Sequence, residues 1–234
     1  MMKKFIELVR KETVLVIAWV LAIISAFFVK PNIKYIDYID FRTLGILWSL
    51  MVIMEGLSCN GLFEKIGYKL LKKTKNVWQL SITLVFICFF SSMLITNDVA
   101  LITFVPLSIV IARKANINVL KIVIFQTLAA NLGSSFTPMG NPQNLFIYSF
   151  YNLSPIDFFK ITLPIVILAV LFLVLLVFKD KKMNLSLDLE DVKIDNKRDV
   201  YLFGGLFLII LLSVFHVIDY KVTFLITIVM VLIL

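Results

Sequence analysis

The sequence predicts an all-α, multi-span integral membrane protein, and three observations carry that prediction. Of its 234 residues, 61% are hydrophobic, too many for a domain whose surface must stay wet. The apolar residues fall in long uncharged runs, at 13–29, 43–54, 76–97, 99–112, 161–178, 200–218 and 222–234. The 23 Lys and Arg residues gather between those runs. A helix needs about 20 residues to cross hydrocarbon, with about 17 tolerated, so several runs qualify outright and the shorter ones need another role.

The first run follows Lys3, Lys4, Arg10 and Lys11, as a secretory signal would, but it lacks a small-residue cleavage site and is followed by further runs. It reads as a retained helix. With the N-terminus cytoplasmic and the first two runs crossing, eighteen of the 23 basic residues fall on the inner side and Lys30, Lys34, Arg42, Lys160 and Lys221 on the outer. That bias follows the positive-inside rule and places the N-terminus inside a cell membrane. The basic residues are therefore topology signals; they form no single basic face with interleaved aromatics, and nucleic acid is not a partner.

The stretch 61–75 mixes Leu62, Phe63, Ile66, Leu70 and Leu71 with lysines at near-helical spacing, which predicts an amphipathic helix on the cytoplasmic surface. Residues 76–112 then leave and return to the inner side. The 36 residues 116–151 are too long for one simple crossing. Either 133–144 is an ordinary loop outside the membrane, or a helix is interrupted at depth and resumes; charge parity is the same in both cases. Residues 183–199 mix Asp, Glu, Lys and Asn and read as a solvated loop. Trp19, Trp48, Trp78, Tyr35 and Tyr38 read as an interfacial belt, and Pro106 and Pro164 as residues that kink or begin helices.

Two polar clusters interrupt the apolar sequence and can carry chemistry. The first is Ser91-Ser92-Met93-Leu94-Ile95-Thr96-Asn97-Asp98; the second runs from Asn131 to Asn144 and holds Gly133, Ser134, Ser135, Thr137, Gly140, Asn141 and Pro142. Thr96, Asn97 and Asp98 are favoured N-cap residues, and Asn141-Pro142 is an N-cap followed by proline at the first helical position. Two helix N-termini converging in the membrane would hold an anion through their free N–H groups. Exposed carbonyls and side-chain oxygens at the same breaks, with Asn97, Asp98 and Asn141 foremost, would suit Na+. Asp98 within a bilayer would be costly and therefore functional, by Na+ ligation or proton exchange. Glu55, near a helix end, fits a hydrated structural role equally well.

Other chemistries lack their residues. Cys59 and Cys88 have no metal-ligand spacing, and the one histidine, His216, has no partner that would make it catalytic. No nucleophile with a partnered base and no ATP-binding motif is present, so an enzyme or an ATP-driven pump is not expected.

At the two clusters the sequence resembles the ion transporter superfamily of divalent anion/sodium symporters, citrate transporters and arsenical pump membrane proteins. Ile95-Thr96-Asn97-Asp98-Val99-Ala100, with Pro106 following, and Gly133-Ser134-Ser135-Phe136-Thr137-Pro138-Met139-Gly140-Asn141-Pro142-Gln143-Asn144 carry the resemblance. It implies a re-entrant helical hairpin with Thr96-Asn97-Asp98 at its tip, a helix broken around 133–144, and one coupling-ion site and part of a substrate site between them. The implied boundaries are N-terminal spans at 1–60, the amphipathic helix at 61–76, the hairpin at 77–112, the broken helix and following span at 113–178, a cytoplasmic loop at 179–199, and the start of a second, inverted repeat at 200–234. The implied activity is secondary transport of a small anion such as citrate, a dicarboxylate or a related oxyanion, coupled to Na+ or H+, by movement of a transport unit against a scaffold. No other cofactor is implied, and the fold resembles proteins that work as homodimers.

Two departures from the family pattern bear on this reading. Dicarboxylate symporters have Ser-Asn-Thr at the hairpin tip, whereas Thr96-Asn97-Asp98 is closer to the citrate, arsenite and sodium/proton branches. Nothing after Lys179 repeats either motif, so the chain is expected to hold one repeat of an inverted-repeat fold and to be truncated. A Na+/H+ antiporter, an arsenite efflux permease and a non-transporting remnant or assembly subunit are the competing expectations.

Overall fold

The computed structural model describes residues 12–178 and 193–233, and these are helical, with no strand among them. The basic N-terminal flank and most of the 179–199 loop lie outside the described residues. The chain divides into two compact units, Met1–Asp40 and Phe41–Leu234.

In the first unit, helix α1 (Thr13–Phe28) is followed by a 3-10 turn, Ile33–Tyr38. Asn32 caps that turn by accepting from the Lys34 N–H (2.8 Å), and the Tyr35 hydroxyl donates to the Val29 carbonyl (2.7 Å).

The second unit comprises α2 (Phe41–Cys59), α3 (Leu62–Leu71), α4 (Val77–Ile95), α5 (Asn97–Lys114), α6 (Leu120–Ser134), α7 (Pro142–Phe150), α8 (Pro155–Phe178), α9 (Lys197–Val214) and α10 (Tyr220–Ile233). Among the described residues α2, α4 and α8 are long and apolar enough to cross a membrane. At 1.5 Å per residue, α6 and α7 reach only about 22 Å and about 13 Å, so neither alone crosses ~30 Å of hydrocarbon.

Helix α4 packs chiefly on α6, with α5 against both, and α2 packs on α9 and α10. Leu84, Val85, Cys88 and Phe89 of α4, Phe104 and Ile111 of α5, and Ala129 and Ala130 of α6 are buried together. Leu168, Leu171, Phe172, Leu175 and Phe178 of α8 are at least half exposed, a continuous apolar surface that water would not tolerate and lipid would.

Local chemistry sets the boundaries. Asn76 caps α4 by accepting from the Gln79 N–H (2.8 Å), and Gln79 accepts in return from the Lys75 N–H (2.8 Å). The amphipathic helix stops at Leu71, short of Lys75, because the Thr74 hydroxyl and N–H both turn back to the Leu71 carbonyl. Pro106 and Pro164 lie inside α5 and α8 and begin neither. Trp78 stands in the first turn of α4, but Trp19 and Trp48 lie mid-helix, and Trp48 packs edge-on against Phe224 (5.1 Å).

Candidate functional site

Helices α4 and α5 are joined by one residue. Thr96 takes a left-handed φ of 69°, unusual for a β-branched side chain, and its hydroxyl accepts from the Val99 N–H at 3.5 Å to cap α5. The reversal makes Asn97 the first residue of α5 and places Asp98 in its first turn, where the helix dipole favours a carboxylate. Asp98 is exposed, and among the described residues nothing hydrogen-bonds its carboxylate.

Helix α6 ends at Ser134 and α7 begins at Pro142, so a break interrupts this stretch between them. Asn141 caps α7 by accepting from the Asn144 N–H (2.8 Å). The Asn144 amide reaches back to the Ser134, Ser135 and Thr137 carbonyls (3.1, 3.0 and 3.0 Å). Asn141 donates to the Ser134 carbonyl and hydroxyl, both at 3.2 Å. Thr162 of α8 donates to the Phe136 carbonyl (3.1 Å), and the Thr137 hydroxyl donates to the Met93 carbonyl of α4. Backbone groups freed by the interruption are thereby hydrogen-bonded inside the protein, as buried backbone requires.

The break and the hairpin tip meet. The Asn97 N–H donates to the Gly140 carbonyl (3.2 Å), and the Asn97 side-chain amide donates to Asn131 Oδ1 (3.2 Å). The N-termini of α5 and α7 are thus brought to one place, capped by Thr96 and Asn141. Gly133 and Gly140 permit the approach: a Cβ at Gly133 would strike the Phe89 carbonyl, and one at Gly140 the Ser134 carbonyl.

The sequence-predicted residues divide by position. Thr96, Asn97, Asn141 and Asn144 are half-buried around the junction, and Asp98 and Pro142 are exposed beside it. Gly133, Ser134, Thr137 and Gly140 are buried and build the break, while Ser135, half-buried, turns its hydroxyl to the Leu132 carbonyl (2.6 Å). Two further residues complete the assembly: Asn131, which opens the second polar cluster but was not among its candidate ligands, and Gln126, which sequence reasoning did not select. Asn131 supplies the acceptor for Asn97. Gln126, fully buried, donates to the Leu84 (3.1 Å) and Phe104 (3.5 Å) carbonyls and so ties α6 to both arms of the hairpin. The signal for Gln126 was an amide within an otherwise apolar run. Among the described residues no group of three or more His, Cys, Asp or Glu could hold a metal ion. The oxygens at the junction are amide, hydroxyl and carbonyl, with Asp98 beside them.

The family model described as Citrate transporter matches residues 1–234. The chain belongs to the citrate transporter family. It is 36% identical over 188 residues to an uncharacterized transporter of Methanocaldococcus jannaschii, covering 78% of this chain and 51% of that one. The inner membrane protein YbiR of Escherichia coli is 36% identical over 138 residues, 59% of this chain and 37% of its own. A silicon efflux transporter of Oryza sativa is 31% identical over 126 residues, 54% of this chain and 26% of its own. This citrate transporter family chain thus spans about half the length of the first of these relatives, and less of the others. The family is one of transporters, not of enzymes.

Proposed function

We propose that this protein is a secondary active transporter of a small anion, citrate, a dicarboxylate or a related oxyanion, coupled to Na+ or H+. The observation that carries the reading is the bridge from Asn97 to Gly140 and Asn131, which holds two helix N-termini and a set of uncharged oxygens at one junction. The positive ends of the α5 and α7 dipoles attract the anion, and Asn97, Asp98 and Asn141 offer oxygens to Na+ or a carboxylate to a proton. In this proposal the α4–α5 hairpin is re-entrant, its tip lies at depth in a cell membrane, the N-terminus is cytoplasmic, and the transporter is a homodimer whose transport unit moves against a scaffold.

The test is uptake of labelled citrate and succinate by proteoliposomes, with Na+ and proton gradients imposed separately. Gradient-driven uptake that disappears in Asp98→Asn supports the reading. A well-folded protein that takes up neither anion under either gradient sinks it.

The rice relative's name, a silicon efflux transporter, favours a second reading, outward movement of a weak oxyacid or its anion. Vesicles loaded with silicate or arsenite separate the two, because only the second reading predicts release of that load.

A further inference from the structure

Helix α3 has three distinct faces. Phe63, Gly67 and Leu71 are buried toward the hairpin, where a Cβ at Gly67 would stand 2.8 Å from a Leu107 methyl. Lys65, Lys69 and Lys72 recur on the opposite side at i, i+4 and i+7 and are exposed. Between those faces runs a third stripe, Ile66 and Leu70, apolar yet 44% and 43% exposed.

The lysine stripe forms one wall of a cavity of about 630 Å³, completed by Tyr68, Lys193, Ile194 and Lys197. The Asp195 N–H donates to the Asn60 carbonyl (3.3 Å), which fastens the second wall to the turn before α3. Five ammonium-bearing side chains therefore line one cavity, and among the described residues no carboxylate lies within ion-pair distance of Lys65, Lys69, Lys193 or Lys197. Ile66 and Leu70 open onto a separate groove of about 370 Å³ shared with Phe86, Phe90 and Leu94.

Both α2 and α4 are long and apolar enough to cross, so α3 between them lies where one span leaves the membrane and the next enters. Like charges gathered in one cavity repel unless an anion neutralises them. Basic clusters beside a spanning helix draw anionic headgroups, and an apolar stripe alongside seats an acyl chain, which a soluble anion does not need. We propose that this cavity binds the headgroup of an anionic phospholipid from the adjacent leaflet, its phosphate among Lys65, Lys69, Lys193 and Lys197 and an acyl chain along Ile66 and Leu70.

The test is binding of fluorescently labelled phosphatidylglycerol to the solubilised protein, with labelled phosphatidylcholine as the neutral reference and unlabelled glycerol phosphate as competitor. The anionic lipid should bind at least about tenfold tighter than the neutral one. That preference should vanish when Lys65→Gln, Lys69→Gln, Lys193→Gln and Lys197→Gln are combined, and survive when the same four become Arg. Equal affinity for the two lipids overturns the proposal, as does a Gln variant that melts like the parent and keeps the preference. Glycerol phosphate that competes as well as the whole lipid overturns it too, and marks a site for a soluble anion. The lipid comparison and the competition decide the matter even if the Gln variant fails to fold.

Discussion

Asn97 and Asn131 meet through a 3.2 Å hydrogen bond between side-chain amides, the first residue of α5 donating to the last turn of α6. The Asn131 amide nitrogen is already committed to the Thr127 carbonyl (2.8 Å), so its oxygen is the atom turned toward the hairpin tip. The pair fixes the register of the tip on the broken helix.

A double-mutant cycle should therefore show coupling. Asn97→Ala and Asn131→Ala are expected to be non-additive by about 0.6 to 1.7 kcal/mol, the range for hydrogen bonds between membrane helices. Unfolding of the four proteins in detergent reads this directly. Asn131→Asp, which keeps the acceptor oxygen, should hold the coupling better than Asn131→Leu.

Substitutions at glycine should separate sharply by position. At Gly133 an added methyl meets the Phe89 carbonyl and the Ser92 hydroxyl, so Gly133→Ala must push α6 off α4 and should cost about 1 to 3 kcal/mol. Nothing lies within 4 Å of a Cβ at Gly204, inside α9, and Gly204→Ala should be neutral or stabilise by up to about 1 kcal/mol. Melting temperatures of the two variants test the contrast.

The helical class was legible because apolar runs of spanning length have few other uses, and the caps at Thr96 and Asn141 were legible because their side chains act within three residues. What holds 133–144 was not legible, because the Asn144 amide reaches the Ser134, Ser135 and Thr137 carbonyls together, a fact of geometry that composition does not encode. Gln126 escaped selection, and Asn131 was read only as the start of its cluster, for a related reason: their partners lie between 22 and 42 residues away, and an amide does not announce what it reaches. The packing of Trp48 on Phe224 was not legible because the two rings stand far apart in sequence.

At Asn144 the structure predicts a steep order of tolerance. Asn144→Ala strands the Ser135 carbonyl, which has no other partner among the described residues, and should cost about 1 to 3 kcal/mol. Asn144→Asp is nearly the same size but sets carboxylate oxygens against three carbonyl oxygens, so it should be the worse variant. Hydrogen exchange should locate the damage: amides of 135–144 lose protection while those of α2 keep it. Equal protection in Asn144→Asp and the parent would show that this amide does not hold the break together.

Gln126 gives the most diagnostic pair of substitutions. Its amide nitrogen donates to the Leu84 and Phe104 carbonyls, but its own Oε1 is buried without a hydrogen-bond partner, so the residue both ties and strains the hairpin packing. Gln126→Leu removes the tie and the unsatisfied oxygen together, and the two effects offset to within about 1 kcal/mol. Gln126→Glu keeps the shape but replaces the N–H donors with a buried carboxylate or a single acid O–H, which should cost several kcal/mol, of the order of 3 to 5. If Gln126→Leu unfolds as readily as Gln126→Glu, the amide is indispensable to the joint between α6 and the hairpin. If Leu is tolerated, packing alone holds that joint, and Gln126 serves the alignment of α4 and α5 rather than their stability.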